Sequence, residues 1–71
     1  MILSETERRL VRLKMLGQTD REIALITFRS PNTVRRHFAN IYEKHRLHNN
    51  TEMFLKYAKE ELDIDLKSLL Q

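Results

Sequence analysis

Apolar residues recur along this chain at steps of three and four, never in the strict alternation of a half-buried strand. Leu10, Leu13 and Leu16, with Val11 and Met15 beside them, form a first stripe ringed by Arg8, Arg9, Arg12 and Lys14. The pattern predicts a helix from Glu5 to Leu16. A second helix, Asp20 to Thr27, is expected to turn Ile23, Ala24 and Ile26 inward. A third, Pro31 to His45, separates cleanly at about 100° per residue. Val34, Phe38, Ile41 and Tyr42 fall on its core side, and Asn32, Arg35, Arg36, Ala39 and Glu43 fall opposite. In a fourth helix, Asn50 to Glu61, Phe54, Tyr57 and Ala58 can close the core, while Leu55 and Leu62 lie on a flank left exposed in a monomer. Residues 63–70 allow a short fifth helix capped by Asp63 or Asp65, an extension of helix four, or a frayed end.

Polar residues mark where these stripes begin. Ser4, Thr19 and Asn49 are each followed three residues later by Glu, the capping-box spacing. Ser30 precedes Pro31, and Pro at the first helical position loses an N–H that has no helical partner anyway. Gly17 after Leu16 suits a left-handed C-cap. The fold class is therefore all-α, with four helices and a short fifth element left open. The link from Phe28 to Ser30 is so tight that helices two and three must cross at a large angle, as in a helix-turn-helix. Residues 1–62 are expected to form one domain, followed by a tail over 63–71.

Charge adds a partner class. The formal net charge is +3. Residues 29–50 hold five Lys/Arg against one Asp/Glu, whereas residues 51–71 hold three against five. Basic charge gathered around helix three is the footprint of a polyanion. With no cysteine in the chain, disulfides and thiolate metal sites are excluded. His37, His45 and His48 lack carboxylates or thiols at ligand spacing, so no metal or other cofactor is expected. No apolar run approaches the roughly 20 residues of a membrane span. No nucleophile–base pair or Gly-rich phosphate loop emerges, and Glu60-Glu61 and Asp63/Asp65 read as a solvated tail, so no catalysis is assigned.

The blocks Leu3 to Glu7, Gly17 to Ala24, Ser30 to Lys44 and Asn49 to Glu52 resemble the LuxR/GerE-type helix-turn-helix. The specific part is Glu22-Ile23-Ala24, then Thr33-Val34 with His37, then Asn40-Ile41, at the spacing of that family. The resemblance implies a bacterial transcription factor that binds double-stranded DNA as a homodimer, in the cytoplasm at the nucleoid. Such domains stand alone or form the C-terminal output domain of longer regulators. Three positions depart from the family pattern: Arg29, where an apolar residue is usual, His45-Arg46, where Leu-Gly is common, and Thr6, where Arg is usual.

Helix three would then be the recognition helix. A guanidinium fork matches the O6/N7 edge of guanine, so Arg35 and Arg36 are the expected base contacts, and Ala39 can meet a thymine methyl. Ser30, Asn32 and Thr33 crowd the positive start of helix three, where phosphate is attracted. Thr19 and Arg21 occupy the matching place on helix two. His37 and Lys44 flank the reading face as further phosphate contacts. Leu55, Ala58, Lys59 and Leu62 form the expected dimer surface on helix four, the helix through which the resembled family pairs. The rivals are a module that docks on RNA polymerase or another regulator without touching DNA, and a promoter binder like region four of a sigma factor. No small-molecule ligand or membrane partner is expected.

Overall fold

A computed structural model describes residues 1–70. Four α-helices follow in order, α1 (Glu5–Met15), α2 (Asp20–Thr27), α3 (Pro31–His45) and α4 (Asn50–Glu61), and then a 3-10 helix over Leu66–Leu70. Each α-helix begins where its cap predicts. Ser4, Thr19, Ser30 and Asn49 all take extended backbone and accept the N–H three residues on. In α1 and α2 the capping box is complete, because Glu7 and Glu22 also accept the cap residue's own N–H.

The helix ends share one device. The chain turns into the left-handed region, and the next N–H reaches back five residues: Gln18 N to Leu13 O, Arg29 N to Ala24 O, and Leu47 N to Tyr42 O. Gly17, at φ 89°, makes the first such turn without steric cost. Phe28 (φ 56°) and Arg46 (φ 55°) make the other two with a Cβ in place. Left-handed backbone costs a side-chain-bearing residue about 1–2 kcal/mol. Arg46, which departs from the Gly common in the resembled family, thus ends α3 in a strained cap. Asp63 is also left-handed, at φ 55°. It folds the tail back so that Ile64 N meets Ala58 O. Asp65, not Asp63, starts the 3-10 helix, its carboxylate accepting Lys67 N.

The core lies where the four helices meet. Leu10, Val11, Ile23, Val34, Ile41, Met53 and Tyr57 are fully buried, with Leu3, Ala24, Phe38 and Ala58 almost so. The expected burial needs four corrections. Leu16 is 76 % exposed, because α1 stops at Met15 and the cap swings that side chain out. Ile26 is exposed, and Thr27 is buried in its stead, its hydroxyl donating to Ile23 O at 2.7 Å. That bond answers the cost of burying a hydroxyl. Met53 plugs the core beside Tyr57, whereas Phe54 is only half-buried. Leu55 is half-buried too, because the chain beyond Leu62 returns along its side of α4.

Polar contacts fasten α1 to the other helices. Arg12 Nε donates to the Tyr57 hydroxyl at 2.6 Å, and Arg8 Nε lies 3.3 Å from a Glu61 carboxylate oxygen. Lys14 Nζ meets the Asp20 carboxylate at 2.5 Å and lies 5.0 Å above the centre of the Phe38 ring. On the far side Lys44 Nζ reaches the Glu7 carboxylate at 3.5 Å.

Candidate nucleic-acid interface

The outward face of α3 is built by subtraction. Val34, Phe38 and Ile41 are consumed by the core, which leaves Asn32, Arg35, Arg36, Ala39, Asn40 and Glu43 in solvent. The helical period therefore puts two guanidiniums on one exposed stripe near the N-terminus. Among the described residues Arg36 has no ion pair and no side-chain hydrogen bond, and it projects freely. Arg35 is engaged: its Nη1 donates to Asn32 Oδ1 at 2.7 Å, and its Nε lies 3.8 Å from Asp20 Oδ2.

The tight turn at Phe28 brings the start of α2 alongside this stripe, and Asp20 is the point of contact. Thr19 and Arg21 flank it and are exposed, the Thr19 hydroxyl already capping α2 through Glu22 N. The Thr19 amide, donating to the Glu22 carboxylate at 3.0 Å, and then the Thr19 hydroxyl hold the Glu22 carboxyl below the usual carboxylate range. At the start of α3 the Ser30 hydroxyl accepts Thr33 N at 3.1 Å and pairs with the Thr33 hydroxyl at 2.9 Å. Asn32 is exposed, with its carbonyl oxygen turned to Arg35.

The two edges of the stripe differ. On one, Arg35, Ala39 and Tyr42 border a shallow cleft shared with Asp20 and Asn50. Tyr42 donates its hydroxyl to Asn50. Burial, and then the nearby Asp20 charge, push the Tyr42 phenol above its usual range. On the other edge His37 is half-buried, and Lys44 leans to α1 and Glu7. Burial works to raise the Glu7 acid, but the Ser4 amide and the Lys44 charge outweigh it, so its carboxyl lies below the usual range. Of the expected contacts, Asn32, Arg35, Arg36 and Ala39 lie on the exposed stripe of α3, Ser30 and Thr33 stand at its start, Thr19 and Arg21 flank Asp20 at the start of α2, and His37 and Lys44 border the stripe.

Helix four departs from expectation. Ala58 is 1 % exposed, so it belongs wholly to the core and cannot also serve a free surface. Lys59 is exposed. Leu62 is 42 % exposed and shares an apolar depression with Met15, Leu16, Tyr57 and the Arg12 stem. Leu55 faces a different depression, with Leu47, Lys56 and Lys67. The expected single flank is therefore two.

Two features escaped the sequence reading. One is Asp20, whose role depends on a contact between two helices. The other is the apolar edge at the α2–α3 turn, where Leu25 is 73 % and Phe28 96 % exposed. The period of α2 could have placed Leu25 outward; the sequence put Phe28 in the link to α3 but gave no sign of its left-handed backbone or its exposure. Among the described residues no three His, Asp or Glu gather as a metal set, and no helix is long and apolar enough to cross a membrane.

Comparison with known families now bears on this geometry. Residues 1–56 match GerE, the bacterial regulatory proteins of the luxR family. The chain belongs to the luxR family. It is accordingly a DNA-binding helix-turn-helix regulator. The matched stretch runs through α1, α2, α3 and the first half of α4, so every residue of the basic stripe lies inside the luxR-family match. A search of curated proteins and one of solved structures gave no match.

Proposed function

We propose that this luxR-family domain, residues 1–62, inserts α3 into the major groove and reads an inverted repeat as a homodimer. Arg35 and Arg36 reach guanine edges, and Ala39 packs against a thymine methyl one turn further on. The starts of α2 and α3 press on the backbone with free N–H groups and with Thr19, Arg21, Ser30, Asn32 and Thr33, while His37 and Lys44 touch phosphates at the border. The tail, residues 63–71, lies outside the reading unit. The cell compartment is then the bacterial cytoplasm, at the nucleoid.

One observation carries this reading. Two arginines stand outward on a helix whose opposite side is spent on the core, beside the start of a second helix. Selection of bound sequences from a random duplex library tests it. The expected outcome is a two-fold symmetric site, with affinity for random duplex that falls steeply as salt rises. Binding indifferent to salt, or no selected sequence, would sink it.

A second reading draws on the exposed Leu25 and Phe28. That apolar edge suits contact with RNA polymerase or another regulator, whether beside DNA or in place of it. A chain that retains a protein partner but never shifts a labelled duplex would favour this reading.

A further inference from the structure

The residue at the start of α2 that faces the reading helix is an acid, which is unexpected on a surface meant for phosphates. Asp20 is held from behind and in front. Lys14 Nζ contacts one carboxylate oxygen at 2.5 Å, and Lys14 itself is fixed over the Phe38 ring. The other oxygen lies 3.8 Å from Arg35 Nε. Asn32 Oδ1 takes Arg35 Nη1 at 2.7 Å. A chain of contacts therefore runs from the core through Lys14 and Asp20 to the Arg35 guanidinium, with Asn32 closing it on the other side.

A guanidinium carries five N–H donors in a planar fork. Here Nε is turned to Asp20 and one Nη1 hydrogen to Asn32. Nη2 and the second Nη1 hydrogen have no partner among the described residues and are left for an acceptor pair such as a guanine O6/N7 edge. An arginine without such partners samples many rotamers and finds phosphates as readily as bases, and ordering it has an entropic cost. Asp20 also places negative charge near the DNA backbone, which weakens binding to any sequence.

Building on the proposed DNA reading, we infer that Asp20 is a positioning residue for Arg35: it gives up general affinity for DNA and sharpens discrimination at the base pair that Arg35 reads. It acts through Arg35 and does not itself touch a base.

The test uses the full chain and a double-mutant cycle. Arg35→Ala first identifies the base pair whose preference it abolishes. Asp20→Ala is expected to lower preference for that pair by about tenfold, with binding to random duplex unchanged or tighter. In the Arg35→Ala background Asp20→Ala should change neither preference. Asp20→Asn keeps an amide oxygen for Lys14 and the start of α2, so it should melt close to the parent chain and still lose the preference. The inference is overturned if Asp20→Ala weakens selected and random duplexes in parallel, or if its effect persists without Arg35. Failure of the parent chain to bind any duplex would overturn the DNA reading itself, and that is seen before any variant is made.

Discussion

Arg12 on α1 donates its Nε to the hydroxyl of Tyr57, a fully buried residue of α4, at 2.6 Å. This bond joins the first and last α-helices. Tyr57→Phe removes the acceptor and leaves the ring in place. We predict a loss of about 0.5–1.5 kcal/mol, read as a lower urea midpoint. Tyr57→Ala empties a core site as well and should cost about 3–5 kcal/mol, enough to unfold much of so small a domain. An unchanged midpoint in Tyr57→Phe would deny the bond any net worth.

The left-handed caps offer the opposite sign. Phe28 is almost fully exposed, so it loses no packing when truncated. Phe28→Gly and Arg46→Gly relieve about 1–2 kcal/mol of backbone strain each, less what glycine's added freedom gains for the unfolded chain. Each variant should be more stable by about 0.5–1 kcal/mol, and thermal melts decide it. A lower melting temperature in both would mean that the turns are not strained.

Binding and folding should separate on α3. Arg36→Ala removes an exposed group with no partner among the described residues and should cost about 1–3 kcal/mol of specific binding, with the melt unaltered. Val34→Ala or Ile41→Ala truncates a fully buried side chain on the other side and should cost about 0.5–5 kcal/mol of stability. Arg36→Ala that retained full preference at every base would remove it from the reading face.

A pH effect is expected from His45. It faces inward from the last turn of α3, and its Nε2 is buried without a partner. Burial first, then Lys44, Lys56 and the chain amino group, push its imidazolium below the usual range, against the opposing pull of Glu7. A depressed native value means that the unfolded chain takes up the proton first. The neutral-histidine contribution is therefore complete above about pH 6.5 and is lost as pH falls below it. His45→Gln should flatten the decline in urea midpoint between about pH 7 and pH 5, before the carboxylates titrate. Parallel curves for the two proteins would exclude His45 as the cause.

Pairing can be tested at Leu62, now that Ala58 is accounted for by the core. Leu62→Asp should abolish cooperative occupancy of paired half-sites and spare single-site binding. Lys59→Glu serves as a second probe on the exposed flank. If both leave cooperativity intact, the dimer surface is elsewhere.

The helices were legible because their starts are chemical. Ser4, Thr19, Ser30 and Asn49 each cap the residues that spacing alone predicts. Side-chain direction at the ends was not legible, since periodicity assumes a helix that continues: Leu16 lies just past one, and Thr27 ends another. Met53 lies one turn before Tyr57 on the same face of α4, so the period of that helix carried the signal, and Phe54 beside it was taken in its place. Arg35 and Arg36 were legible as outward residues from the period of α3. The hold of Asp20 on Arg35 was not, because it exists only once α2 and α3 have crossed.

Phe38 lies behind the Lys14 that grips Asp20, on the hidden side of the same helix that carries Arg35. A genetic screen for altered operator preference would thus return an interior aromatic alongside surface arginines. Such a substitution would look like a misreading mutant while its cause was a displaced lysine.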